Sequence, residues 1–296
     1  MNRDEWLAAR MRGVGGSDCA PALGQSPLKT QLELYLEKTG QLDAQNLDEV
    51  ERVRFGQLME APIASEYARR EGVKLRRRNQ IIAHPRHDWM IASVDRVIEG
   101  QRKGVEVKNV DGFAFRKDEW GEPGSDQVPD AYLLQCAHYM AVLDYPEWHL
   151  AACIGGNRLV KYVILRDAQL EEMIIDGEHE FWRRVQDRDA PQPDYSHATT
   201  ANLFRRIYPG TDGSTIELDA DIEHWHKVRE DAEHHKKLYE AASDAARAHI
   251  AHAMGSAAVG HLPHGGEYRR KVVNRKGYSV DACEYVDLRF AHPKKA

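Results

Sequence analysis

Five short apolar runs set among long amphipathic stretches constrain this fold most. KLRRRNQIIAHP (74–85), DWMIASVDRVIE (88–99) and GVEVKNV (104–110) have strand lengths and are separated by the breakers His-Pro and Glu-Gly-Gln-Arg-Lys-Gly. WHLAACIGG and RLVKYVIL follow, joined by a turn at Gly155, Gly156 and Asn157. Helical patterns precede these runs, interrupt them at 129–143 and follow them from 167 to 188. A chain of this kind hides its apolar faces by laying helices on a sheet, so the pattern predicts a mixed α/β fold with a central sheet flanked by helices.

Helices are expected from near Asp4, with Trp6, Leu7 and Met11, and over 26–40, with Ser26 as N-cap and Gly40 as the C′ residue. A long helix is expected from about Asp48 to Arg70, carrying Val50, Val53, Leu58, Ile63 and Tyr67. Residues 190–214 are rich in Pro, Thr, Ser and Gly and mark a boundary. The organisation expected is a domain over 1–205 and a helical C-terminal extension over 215–296. In that extension Ile222, Trp225, Ala232, Leu238, Ala242, Ala245 and Met254 lie near one stripe, and Gly255 ends the helix. Its histidines, including His249 and His252 one turn apart, read as a solvated face because no acid or cysteine completes a metal site. The tail after Glu267 forms a small hairpin or packs on that helix.

The 296 residues suffice for a substantial core, and 42% hydrophobic with 30% charged residues is an ordinary globular balance. No run is long enough to span a bilayer, and the N-terminus carries acids and no apolar segment, so a cytoplasmic protein is expected. Cys19, Cys136, Cys153 and Cys283 form no CxxC pair, which argues against a zinc ribbon and for reduced, buried thiols. The net charge of −6 does not itself point to nucleic acid, but phosphate binding needs only local patches such as RREGVKLRRR (69–78) and RRKVVNRK (269–276).

The unusual residues are the charged ones inside the strand runs. Alternation puts Glu106 and Lys108 on one face of their strand, and Asp95 lies opposite that face if the preceding run pairs with it. Two carboxylates and a lysine make a hard-oxygen site suited to Mg²⁺ or Mn²⁺, with Lys108 placed to orient a water or help deprotonate it. A salt-bridged exposed strand is the alternative. Gln135 and Tyr139 stand four apart on a helix face, either beside this site or as ordinary core hydrogen-bonders, and Glu60 offers a third acid. RMRGVGGSD joins Arg10 and Arg12 to Ser17 through three glycines, whose backbone permits close approach to an anion. It is not a Walker loop, because no Gly-Lys-Ser/Thr follows.

Taken in order, RMRGVGGSDCAPALGQSP, FGQLMEAPIASEYA, MIASVDRVI, GVEVKNV and LLQCAHYMAV resemble the YqaJ-type viral recombinase family, relatives of phage lambda exonuclease with the restriction-endonuclease-like fold. The resemblance covers residues 1–190. It implies a metal-dependent exonuclease that digests linear double-stranded DNA from 5′ ends and leaves a 3′ strand for a phage annealing protein, working as a ring-shaped trimer. Asp95 and Glu106 then correspond to the metal-binding acids, with the Val107 carbonyl as a further ligand and Lys108 as the catalytic lysine. Glu60 corresponds to the acid near a second metal position, and Gln135 with Tyr139 to the supporting Gln-x-x-x-Tyr pair. Arg10 and Ser17 correspond to the grip on the 5′-terminal phosphate, with Arg12 as a substitute for Arg10. The family's Pro-Asp is Val94-Asp95 here, which keeps the carboxylate. Iron–sulfur relatives need clustered cysteines that this chain lacks. A structure-specific endonuclease is the enzymatic alternative, and a DNA-end-binding module that has lost catalysis is the other. The joint presence of Asp95, Glu106 and Lys108 disfavours the latter.

Overall fold

A computed structural model of the chain describes residues 8–45, 50–78, 80–117, 120–274 and 277. The expected helical positions Trp6 and Leu7, the helix start at Asp48 and Cys283 lie outside the described residues. Two compact units are present, Met1–Tyr208 and Pro209–Ala296. No helix among the described residues is long and apolar enough to cross a membrane.

In chain order the first unit contains β1 (Val14–Gly15), α1 (Gly16–Ala22), α2 (Gln31–Lys38), α3 (Glu51–Glu71), β2 (Leu75–Arg76), β3 (Ile82–Ala83), β4 (Met90–Ala92), β5 (Arg96–Ile98) and β6 (Lys103–Val110). It continues with α4 (Gly112–Lys117), α5 (Asp130–Leu143), β7 (Glu147–Ile154), β8 (Arg158–Leu165), α6 (Ala168–Asp187) and α7 (Thr200–Ile207). Its main sheet has the order β2-β5-β6-β7-β8, with β6 and β7 parallel and the other neighbours antiparallel. A second sheet has the order β1-β4-β3.

The run DWMIASVDRVIE, expected as one strand, is therefore two strands in two sheets. The break falls at Ser93, Val94 and Asp95, and the hydrogen bonds show why. The Val107 N–H, next in line for the β5–β6 ladder after the Arg96–Val105 pair, is taken by the Asp95 carboxylate at 3.1 Å instead of by a backbone carbonyl. A side chain thus ends the ladder at the place where the sequence puts an acid.

β7 is buried along nearly its whole length because it is central and covered on both faces. Ala151 and Cys153 meet Ile63, Ala64 and Tyr67 of α3 on one face, together with Val105 and Val107 of β6. Trp148, Leu150 and Ala152 meet Leu134, Tyr139 and Met140 of α5 on the other. Gly104 of β6 lies beside Trp148 in the parallel register, and a Cβ there would stand 2.2 Å from the indole ring. Gly104→Ala should accordingly destabilise the first unit by about 1–3 kcal/mol through overpacking, read as a lower urea midpoint with unchanged slope.

Several boundaries differ from expectation for local reasons. Thr30, not Ser26, caps α2, accepting from the Glu33 N–H at 3.0 Å, while the Ser26 hydroxyl accepts from Leu28 and Lys29 in the preceding turn. Gly40 follows that helix in the left-handed region, as expected. Leu58 of α3 and its N-cap Val50 are exposed, so the buried face is narrower than the apolar pattern suggests. Residues 190–214 contain α7, whose Leu203 packs with Phe181, Trp182 and Val185, and the division between the two units falls inside that stretch, after Tyr208.

Among its described residues the second unit contains α8 (Ala220–Met254), ended by Gly255, and an antiparallel hairpin of β9 (Val259–His261) and β10 (Glu267–Arg269). No residue of α8 is buried, so the apolar stripe through Trp225 and Leu238 is exposed rather than packed.

Candidate active site

Strand alternation decides which charges can meet. On β6, Glu106 and Lys108 face α5, while Val105 and Val107 face α3. Arg96 of β5 stands opposite Val105, which places Asp95 opposite Glu106, on the α5 side.

The Glu106 Oε1 atom accepts from Lys108 Nζ at 2.6 Å and from Gln135 Nε2 at 2.9 Å. The same Gln135 nitrogen lies 2.9 Å from the Tyr139 hydroxyl, so the helical spacing of the two sets that hydroxyl beside the amide that reaches Glu106. Glu106 is 3% exposed, and its second oxygen, Oε2, is buried with no hydrogen-bond partner among the described residues. Burial, and then the charge of Glu106, push the Asp95 carboxyl up to about 8. Burial alone would lower the Lys108 pKa, but Glu106 overrides it and holds the ammonium above its ordinary value.

An orphaned buried carboxylate oxygen beside a second carboxylate that resists ionising is a donor set short of positive charge. Hard oxygen donors of this kind fit a divalent cation. Extended backbone points the N–H and C=O of one residue to the same side, so the Val107 carbonyl shares the side on which its N–H meets Asp95.

Glu60 is placed differently from the expectation. Its carboxylate accepts from Arg96 at 2.7 Å and from Arg77 at 3.4 Å, because Arg96 points toward α3 by the same alternation that sends Asp95 toward α5. Glu60 still lies near enough for its charge to contribute to raising the Asp95 pKa. Arg96, which the sequence reading passed over, also donates to the Asp95 backbone carbonyl at 2.7 Å.

A pocket of about 180 Å³ joins this cluster to the glycine-rich loop. Asp95, Glu106, Gln135 and Tyr139 line it together with Arg10, Gly15, Gly16 and Ser17. Arg10 Nη2 donates to Ser17 Oγ at 2.8 Å and to Asp18 Oδ1 at 2.7 Å. Arg12 is exposed on the adjoining turn and is not among the lining residues. Gly16 serves close approach rather than an unusual φ: a Cβ there would sit 2.4 Å from the Tyr139 ring, so only glycine lets the loop rest on α5.

Among the described residues one other cluster has ligand-type side chains, Cys19, His138 and Glu178, all buried. His138 engages Glu178 through Nδ1 at 2.7 Å and the Ile91 carbonyl through Nε2 at 2.8 Å, so both ring nitrogens are committed. Despite burial, Glu178 raises the imidazole pKa, and the cluster is a charged clasp joining α5, α6 and β4. The cysteines Cys19, Cys136 and Cys153 are free and buried.

Comparisons with known proteins bear on the family and the fold. The family model described as "YqaJ-like viral recombinase domain" matches residues 5–146. The "Uncharacterized protein YqaJ" of Bacillus subtilis (strain 168) is 37% identical over 223 residues, which span 74% of this chain and 68% of that protein. Two crystal structures of an alkaline exonuclease, LHK-Exo, from Laribacter hongkongensis, one of them in complex with dAMP, superpose with TM-scores of 0.51 and 0.52. Each is 18% identical and covers 62% of this chain and 93% of the other, a likeness that shows the restriction-endonuclease-like fold.

Proposed function

The chain belongs to the family of YqaJ-like viral recombinase domains, and from that premise and the chemistry of the pocket we propose that it is a DNA exonuclease hydrolysing phosphodiester bonds at the ends of linear duplexes. The observation that carries this reading is the meeting, in one pocket, of the buried Asp95–Glu106 pair with the Arg10–Ser17 pair, because an end-directed hydrolase needs both a reaction centre and a grip on a terminal phosphate. The direction proposed is 5′ to 3′, leaving a 3′ single strand for a recombination partner that anneals it. A trimer of this chain belongs to the same reading, and a sedimentation mass equal to one chain would remove it.

Asp95, Glu106 and the Val107 carbonyl would hold a divalent cation, Mg²⁺ or Mn²⁺, which when bound supplies Lewis acidity to the phosphate and a more acidic water. Glu60 would join a second cation only by exchanging its contacts with Arg96 and Arg77. Lys108 is placed as a fixed positive charge: held at Glu106 and with its pKa raised, it orients a water and stabilises the phosphate oxyanion instead of removing a proton. Gln135 fixes the Glu106 carboxylate, and Tyr139 supports Gln135 from the next helical turn. Arg10 and Ser17 hold the 5′-terminal phosphate and thereby set which phosphodiester reaches the carboxylates.

Digestion of linear duplex DNA labelled at either end, with Mg²⁺ or with EDTA, tests this directly. Release of the 5′ label as mononucleotides only with Mg²⁺, with closed circular DNA left intact, is the result expected. Cutting of the closed circle would favour the endonuclease, and end binding without degradation would favour the silent binding module.

A further inference from the structure

The residue that completes the phosphate grip lies outside the pocket. Asp18 follows Ser17 in α1, and its two carboxylate oxygens are divided between partners: Oδ1 takes Arg10 at 2.7 Å, while Oδ2 takes Lys38 Nζ at 2.7 Å and the Gly15 N–H at 3.1 Å. Lys38 Nζ also donates to the Arg10 backbone carbonyl at 2.7 Å. Arg10 is thus held at both ends, its guanidinium by Asp18 and its main chain by Lys38.

Lys38 sits at the last turn of α2, in a sequence, LYLEKTG, that gives it the look of an ordinary solvated helix lysine. Its side chain is nevertheless only 5% exposed, so it cannot touch a bound DNA end and must act through Arg10 and Asp18. Charge counting shows what it adds. Arg10 and Asp18 alone form a neutral pair, which attracts a phosphate weakly; with Lys38 the triad carries one net positive charge next to the Ser17 hydroxyl. Burial pulls the Lys38 pKa below its ordinary value, and the contact with Asp18 opposes that loss.

We propose that Lys38, with Asp18, is a positioning residue that fixes Arg10 over the pocket and restores its positive charge, so that preference for a 5′-phosphorylated end depends on a lysine buried in α2. This rests on the reading that Arg10 and Ser17 bind the terminal phosphate.

The test uses the full chain and two linear duplexes, identical except for a 5′-phosphoryl or a 5′-hydroxyl end. Lys38→Met and Lys38→Gln should raise KM for the phosphorylated end about tenfold and leave kcat and the rate on the hydroxyl end nearly unchanged. Lys38→Arg, which keeps the charge, should recover much of the loss. Each variant is first checked for a native circular dichroism spectrum and a cooperative melt, and either neutral variant that folds suffices; should neither fold, a phosphoryl preference in Lys38→Arg below that of the native chain supports the role and an unchanged preference overturns it. Arg10→Met should abolish the phosphoryl preference, and the double variant Arg10→Met with Lys38→Met should be no worse than Arg10→Met alone, because Lys38 acts through Arg10. If Arg10→Met leaves the preference intact, the phosphate reading fails and this proposal with it. If Arg10→Met removes the preference while the Lys38 variants keep it, or if the two losses simply add, the phosphate reading stands and the role assigned to Lys38 is wrong.

Discussion

Lys108→Ala is expected to slow the digestion of linear duplex by about a thousandfold in kcat while the chain still binds DNA ends. The expectation follows from two facts about one side chain. Among the described residues Lys108 is the one cation bonded to Glu106, and its raised pKa keeps it charged throughout the pH range in which DNA is handled. An ammonium held beside a buried carboxylate is partly desolvated and stabilises charge that develops on a phosphate far better than water does, and its loss falls on the transition state rather than on binding. Glu106→Gln should be comparably damaging, because an amide cannot supply the second negative oxygen. The two variants differ in stability, however. Lys108→Ala leaves the buried Glu106 carboxylate with Gln135 alone and should lower the melting midpoint more than Glu106→Gln, which leaves only the partly exposed Lys108 ammonium without its carboxylate. Activity of Lys108→Ala within tenfold of the native chain would sink the assignment.

The parts of this molecule that were legible in its sequence share a physical origin, which is periodicity. Alternation in GVEVK predicted that Glu106 and Lys108 share a face, and the i, i+4 spacing of Gln135 and Tyr139 predicted that these two share a helix face; within each pair the side chains lie at hydrogen-bond distance. The helix end marked by a left-handed glycine at Gly40 was equally legible. What was not legible depends on pairings between residues far apart in the chain. Nothing local says that Lys38 reaches Asp18 twenty residues earlier, and composition alone makes it a surface lysine. Glu60 was read from its place in a motif, without Arg96, which takes its carboxylate from the other face of the sheet. The split of DWMIASVDRVIE into β4 and β5 was hidden because the side chain that breaks the ladder, Asp95, was read as a guest in a strand rather than as its terminator.

That same carboxylate gives the second large effect, on stability against pH. The fold pushes Asp95 up to about 8, against 3.8 for the free side chain, so the folded state prefers its protonated form. A group whose pKa is raised by folding contributes stability that is complete below the unfolded pKa and is lost as pH rises through the folded one. In EDTA the melting midpoint should therefore fall as pH is raised from 6 to 9. A divalent cation held by the deprotonated carboxylates would compete with that proton, so its apparent affinity should rise about tenfold per pH unit up to roughly 8 and then level off. The stabilisation produced by a fixed Mg²⁺ concentration should accordingly be small at pH 6 and amount to several degrees at pH 9. Asp95→Asn separates this cause from general alkaline effects, since an amide keeps the shape, cannot titrate and binds the cation poorly. Its midpoint in EDTA should fall less with pH, and Mg²⁺ should move it little at either pH. An equal Mg²⁺ shift at pH 6 and pH 9, or an undiminished one in Asp95→Asn, would show that the cation is held elsewhere and that the Asp95–Glu106 pair is not the metal site.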